Sequence, residues 1–439
     1  MFRHSRISAL LFCGALFVVS CGRGLDDTAP GTTLPAPTST STTTTTLSIE
    51  PVAPPTLEVW VEPDYVTAVR AVAEEFTTAL GVEVTVTGHR MDDVSAALAS
   101  GDLPADVFAA SHLDMSTAMD AGLAAPLPIG ARVSEFLDPA VEAFSLDGEL
   151  YGIPYRLETE ALFFDPQHVP TAPTGFSQIK AVCDDLGALP VAEIPPDENT
   201  DEDTEESTTT TTRPPPQVPG CTGVDSSDPE TALLFMRSTG LMLLGGDDTG
   251  IDGTAAHQGA DFLTDRVADG VLVPVGGRSA VLATYIEGEI AYLIAPADTR
   301  YELSAAEVPY QLASLPLIAG AEPVPWMEAV GFLLNARSEY KHEASLFLLE
   351  YLAAAPAMAD LFAVEGAVPA HKATADLATA DPEMATLLGL ASSAMPMPAD
   401  PKLDDILATL GGFLPDLFGA DPDTDVILAA AAAAVRDLP

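Results

Sequence analysis

The sequence predicts an α/β protein folded as two lobes. Short runs rich in Val, Leu and Ile alternate with amphipathic helical segments through most of the chain, and 439 residues exceed what a single hydrophobic core usually holds. Hydrophobic residues make up 47% and aromatic residues only 6%, so the expected core is mostly Ala, Leu and Val.

The folded part opens with a β-α-β-α-β pattern. Leu57 to Val61 reads as a strand. Val69, Val72, Phe76 and Leu80 then fall on one helical face, and Val82 to Val86 forms the next strand. Met91 to Ser100 is a short helix, and Asp106 to Ala110 a third strand. Short parallel strands joined by helices need right-handed crossovers, which give a sheet covered on both faces. Asp147-Gly148 marks a hairpin turn before Tyr151-Gly152-Ile153-Pro154. Asp228-Pro229-Glu230 starts a helix over Thr231 to Leu244. Strand-like runs at Ile290 to Ile294, Gln311 to Leu315 and Ala329 to Asn335 alternate with helices, notably Glu339 to Ala353.

Two segments stand outside this pattern. Arg3, His4 and Arg6 form a basic stretch ahead of the short apolar run Ala9 to Val19, so residues 1–20 read as a signal peptide rather than a spanning helix. Val18-Val19-Ser20-Cys21 resembles the lipobox of bacterial lipoproteins, which implies cleavage before Cys21 and a diacylglyceryl group on its thiol, a stable two-chain anchor. Residues 21–56 are mostly Thr, Pro, Ser and Gly and read as a flexible linker. A similar tract, acidic then Thr- and Pro-rich, covers 193–219 and is expected to be a disordered insertion.

The four cysteines are Cys13, Cys21, Cys183 and Cys221. With the first in the signal and the second lipidated, Cys183 and Cys221 suit one disulfide in an exported, oxidising setting, pinning the base of the insertion they bracket. No Cys-x-x-Cys pair or mixed Cys/His cluster points to zinc, and no metal or cofactor is expected.

The formal net charge of -47 argues against nucleic acid or an anionic membrane surface as partner, because both are polyanions. Membrane contact is then expected only through the lipid. No Gly-x-Ser-x-Gly elbow, P-loop or zincin His pair occurs. The best catalytic candidate is Glu158 with Glu160, which on a strand share a face about 7 Å apart, within the range for inverting glycosidases. Adjacent surface carboxylates give the same pattern.

The order of segments resembles the extracellular solute-binding proteins of family 1, the maltose-binding-protein type, which serve ABC sugar importers as lipoproteins. The resemblance rests on Leu57-Glu58-Val59-Trp60-Val61, on Asp106-Val107-Phe108 followed by Asp120-Ala121-Gly122-Leu123, and on Tyr151-Gly152-Ile153-Pro154-Tyr155 with Glu158 and Ala161-Leu162-Phe163-Phe164-Asp165. Gly288-Glu289-Ile290-Ala291-Tyr292 and Val330-Gly331-Phe332 extend it, so that it covers about 57 to 437. It implies a two-lobe, periplasmic-binding-protein-like (type II) fold with a ligand cleft between the lobes. The lobes would be 57–157 plus 306–357 and 158–305 plus 358–438, crossing near Ile153 to Leu157, Ala305 to Leu315 and Ala355.

By the same resemblance, Asp64 and Tyr65, Ser111 and His112, Glu158, Asp225 and Ser226 fall at ligand-contacting positions, and Trp326 is placed to stack on a sugar ring. An ionised carboxylate forms strong hydrogen bonds to polyol donors, which suits Glu158 to that job. One departure bears on the ligand. Where the family often has a Trp after Ile294, this chain has Ala295-Pro296-Ala297-Asp298, and the chain has only two Trp in all. A maltodextrin platform is therefore largely absent, which favours a smaller sugar, a polyol or another solute.

The leading expectation is a monomeric, non-catalytic binding protein that captures a small solute, a sugar or polyol before others, for an ABC importer. A secreted glycoside-acting enzyme using Glu158 and Glu160, and a surface lipoprotein that binds another protein, are the alternatives. A cationic solute would fit the acidic balance, with Asp64, Glu158, Asp225 and Glu328 as partners.

Overall fold

Thr56–Val61 lies between two parallel neighbours, Glu83–Gly88 and Val107–Ser111, as the opening β-α-β-α-β pattern requires. The computed structural model describes residues 55–187, 220–244, 250–365 and 367–438. The signal peptide, Cys21, nearly all of the 21–56 linker and the 193–219 insertion lie outside the described residues.

The strand Gly152–Phe164 organises everything else. At thirteen residues it is long enough to serve two sheets in turn. Its first part pairs antiparallel with Trp326–Asn335, which in turn pairs with Val107–Ser111. Its last part pairs with Ile290–Pro296 and with Gln311–Ala313. Beyond Ile290–Pro296 lie Gly220–Asp225 and Leu272–Val275, in parallel. One continuous sheet thus runs through both lobes, and Gly152–Phe164 is the strand they share.

Local sequence explains the elements. Helix Val66–Leu80 buries Val69, Val72 and Phe76 on one stripe and stops at Gly81, whose φ of 71° a side-chain-bearing residue adopts only with strain. Leu80 is the exception to the predicted stripe: it is 46% exposed, because the helix ends there. Asp147 and Gly148 both have positive φ, as the two central residues of a tight hairpin do, between Ser145–Leu146 and Glu149–Leu150. The helix expected over Thr231 to Leu244 is shorter, Pro229–Ser238. Asp228 caps its start, the Thr239 hydroxyl ties off its last turn, and Gly240 at φ 108° cannot continue it. The segment expected as a single helix from Glu339 to Ala353 is an α-helix over Lys341–Leu346 that continues as a π-helix over Phe347–Leu352.

Two hydrophobic clusters divide the interior. The first joins the Thr56–Val61, Val107–Ser111 and Trp326–Asn335 strands to residues of 344–394, and reaches residues of 281–303 on the far side of the shared strand. The second gathers Leu162, Phe164, residues of 176–263 and residues of 403–435. Helices Ala355–Glu365 and Pro382–Ser393 pack into the first cluster, whereas the sequence reading places 358–438 in the second lobe. The reason is local: Met358, Leu361, Leu387 and Leu390 point onto the first cluster, and Leu403 is the first apolar side chain after Met397 to join the other. Cys183 and Cys221 form a disulfide that joins helix Phe176–Leu186 to strand Gly220–Asp225.

Candidate functional site between the lobes

The shared strand alternates in burial where it passes from one lobe to the other. Tyr155, Leu157 and Thr159 are buried, while Arg156, Glu158 and Glu160 are half-buried on the opposite face. The antiparallel partner adds to that face: Glu328 stands directly opposite Glu158, and Trp326 lies two residues before it. A row of charged side chains thus lines the ribbon joining the lobes.

The first lobe completes one end of the row. Glu62, just past the strand Thr56–Val61, pairs with Arg156 at 2.8 Å and accepts a short hydrogen bond from the Tyr155 hydroxyl. Arg156 also pairs closely with Glu158. Burial works against the guanidinium charge, but Glu62, Tyr155 and Tyr65 together outweigh it and hold the Arg156 pKa above its ordinary value. Burial, reinforced by Glu62, pushes the Tyr155 phenol well up, so it stays a donor.

The second lobe supplies the other end through helix Pro229–Ser238. This helix is apolar and buried almost all round, with Arg237 its only basic residue. Arg237 is 4% exposed; its guanidinium covers the Trp326 ring at 3.9 Å and lies 3.9 Å from a Glu160 oxygen. Its Nε donates to the Val324 carbonyl at 3.3 Å, while among the described residues Nη1 and Nη2 donate no hydrogen bond and Glu160 Oε2 accepts none. Burial pushes Glu160 up to about 7 despite Arg237. Burial, with Asp228 and Glu160 nearby, pushes Glu230 up to about 8. Arg237 is lowered to about 10 by the same burial, which Glu160, Glu230 and Asp228 oppose.

His112 and Asp114 close the site from the end of the third strand. His112 is 1% exposed; its Nε2 donates to the Met397 carbonyl at 2.8 Å and its Nδ1 accepts from the Ala329 N–H at 3.1 Å. Those two bonds require the neutral ring, and burial lowers its pKa accordingly. Asp114 accepts from the Ser95 hydroxyl at 2.9 Å, and burial, with Glu328 and Asp404 adding to it, pushes its pKa up. Beside them a cavity of about 250 Å³ is lined by Met115, Met119, Leu146 and Met397.

The residues expected from sequence are brought together in part. Glu158, His112 and Trp326 belong to the row or its immediate support, Trp326 with its ring already covered by Arg237. Ser111 is 7% exposed and its hydroxyl accepts from the Leu113 N–H, a turn cap. Tyr65 is 1% exposed and packs edge-on against Tyr155 in the core, while Asp64 beside it is exposed. Asp225 accepts from the N–H groups of Ser227 and Gly277, both at 2.9 Å, and from the Ser227 hydroxyl at 2.7 Å, so it ties two turns together. The Ser226 N–H donates to Val275. Sequence reasoning missed Glu62, Arg156, Arg237 and Glu230. Arg156 was legible from alternation with Glu158 and Glu160, and Arg237 as a lone cation in an apolar helix, which must find a carboxylate. Glu62 and Glu230 gave no such signal.

Glu158 and Glu160 do not act as a matched pair: each is held by a different arginine. Among the described residues no group of three or more His, Cys, Asp and Glu is arranged to hold a metal ion. Two lobes thus share one strand, with a row of charged side chains at their junction. Residues 71–386 match the model of the bacterial extracellular solute-binding proteins, and the chain belongs to that family, whose members are extracytoplasmic binding proteins and not enzymes. The fold is also that of a cyclo/maltodextrin-binding protein solved with maltotetraose, at 19% identity and a TM-score of 0.73 over 88% of this chain and 97% of that one. A maltose-binding periplasmic protein from Listeria monocytogenes, solved with maltose, is similar at 18% identity and a TM-score of 0.72, over 87% and 97%. No curated protein sequence matches the chain.

Proposed function

We propose that this solute-binding protein captures a carbohydrate at the face of the ribbon between its lobes and presents it to an ABC importer. The observation that carries the reading is the row Arg156, Glu158, Glu160 and Glu328, drawn from the two strands that join the lobes. Carboxylates accept from sugar hydroxyls and guanidinium groups donate to them, so the row offers both halves of a polyol's hydrogen bonding. A solute touching Glu62 and Arg156 on one side and Arg237 and Glu230 on the other favours closure of the lobes by the contacts it gains with the second. The maltose- and maltotetraose-bound structures that share the fold support a sugar as the class of solute.

The lipid anchor at Cys21, a monomeric state and lobes meeting near 152–164, 311–326 and 395–403 belong to the same proposal. A thermal-shift screen of residues 57–439 against sugars, polyols, amino acids and polyamines tests it. A ligand that binds only the folded state raises the melting temperature by mass action, so micromolar binding shows at millimolar solute. A stereospecific shift with one sugar, lost in Glu158→Ala, is expected. A shift with no sugar at all would sink the carbohydrate reading.

A further inference from the structure

Both tryptophans of the chain have a face already occupied. Trp60 stacks on His89 with ring centroids 3.7 Å apart, and Arg237 covers Trp326. Apolar contact for a solute is offered instead by the cavity of about 250 Å³ at the end of the third strand, where Met115, Met119 and Met397 bring three thioethers into one lining. It opens to solvent: Met119 and Met397 are half-buried, and Leu146 at its edge is 42% exposed. The polar groups around it leave the lining apolar. His112 uses both ring nitrogens elsewhere, the Ser145 hydroxyl donates to the Val141 carbonyl at 2.6 Å, and Glu142 is exposed to water.

The cavity adjoins the polar row. His112 lines it and accepts from the Ala329 N–H, while Pro396 lines it and pairs with Met327. Its wall therefore meets the strand Trp326–Asn335 on either side of Glu328. A second cavity of about 450 Å³ continues it, sharing Met119, Leu146 and Pro398 and adding Leu244. Met119 packs against the first hydrophobic cluster and Leu244 against the second, so a group filling both cavities favours the arrangement in which the two meet.

Size and chemistry select the occupant. A dry cavity of roughly 150 Å³ admits benzene, so this one holds a single aromatic ring. A peptide helix, about 10–12 Å across, is too wide for it. Thioethers make favourable contacts with ring edges, which favours an aryl group over an alkyl chain.

We propose that the solute is an aryl glycoside, its sugar on the polar row and its aromatic aglycone among Met115, Met119 and Met397. This rests on the carbohydrate reading above and names one class of solute within it. The experiment labels the methionine methyl groups with carbon-13 and titrates the protein with phenol, then with phenyl and methyl glucosides, galactosides and xylosides. Millimolar phenol is expected to shift the Met119 and Met397 signals and to leave that of the buried Met384 in place. For a sugar that binds, the phenyl glycoside is expected to bind about tenfold more tightly than the methyl one, the effect of burying one ring. Met119→Gln and the exposed Leu146→Asn are each expected to remove most of that preference and to leave the affinity for the methyl glycoside unchanged. Equal affinity for phenyl and methyl forms overturns this inference and leaves the carbohydrate reading standing. Phenol that moves neither methyl signal overturns it whichever sugar binds, and so does a phenyl preference that survives both substitutions. Phenol binding with no glycoside bound overturns the carbohydrate reading and the aryl glycoside with it.

Discussion

Glu158 and Glu328 face each other directly across the antiparallel ribbon that joins the lobes, in a register where opposite charges would stabilise the pair. Arg156 pairs with Glu158 from the same strand, while Glu328 has no cation paired with it among the described residues. The pair gives the first expectation. Glu328→Gln should stabilise the free protein by about 0.2–1 kcal/mol, the size of one cross-strand charge pair, while weakening solute capture. Urea melts with and without solute separate the two effects; a loss of stability in the free protein would contradict the account.

The pH dependence follows from Glu160 and Glu230. Their folded-state values, about 7 and about 8, lie above the ordinary 4.5. For a carboxylate raised in the folded state, the stabilising contribution is complete below the ordinary value and disappears as pH climbs through the raised one. Around Glu230 stand Asp228, Glu160, Arg237 and Glu328; around Glu160 stand Arg237 and Asp228. The melting temperature of the solute-free protein should therefore fall between pH 5 and pH 8.5, most steeply at about pH 5–7 and levelling off as Glu160 and then Glu230 ionise in the folded state. Glu230→Gln should flatten that decline, and a profile identical to the parent's would show that Glu230 is not responsible.

Gly259 sets how closely two helices of the second lobe approach. A Cβ added there would sit 2.4 Å from the Met236 Cα and 2.6 Å from the Phe235 carbonyl, so backbone must move. Gly259→Ala should cost about 1–3 kcal/mol, as overpacking does. Because Pro229–Ser238 carries Glu230 and Arg237, solute affinity should drop as well, whereas the exposed Gly276→Ala, which meets nothing, should leave both unchanged.

The Cys183–Cys221 bond closes a loop with a sequence separation of 38. Replacing both cysteines with serine should lower stability by about 2–4 kcal/mol on the chain-entropy account. An intact mass measured without reductant should be two hydrogens lighter than the fully reduced chain, and a mass showing two free thiols would remove the bond.

Much of the architecture was legible because it rests on local periodicity. Val69, Val72 and Phe76 fix the first helix, and Asp147-Gly148 fixes its hairpin. What was not legible depends on contacts between distant segments. Nothing in Glu62 or Glu230 alone says that one meets Arg156 and the other Arg237, 94 residues away in the first case. The assignment of Tyr65 shows the converse: its position after the first strand suits a ligand contact, but Tyr155 offers it an aromatic partner in the core, and burial of a large ring wins. The cluster that 358–394 joins was not legible for the same reason, since apolar helices of similar composition suit either cluster and only packing chooses between them.

The disulfide has a consequence for the integrity of the chain. Cys183 and Cys221 stand on either side of the stretch 188–219, so one peptide bond hydrolysed anywhere within that stretch separates the backbone without releasing a fragment. The nicked molecule would migrate as a single species until reductant is added, and then as two. Helix Phe176–Leu186 and strand Gly220–Asp225 would stay joined through sulfur, so a protease that reaches the insertion would leave the solute site assembled.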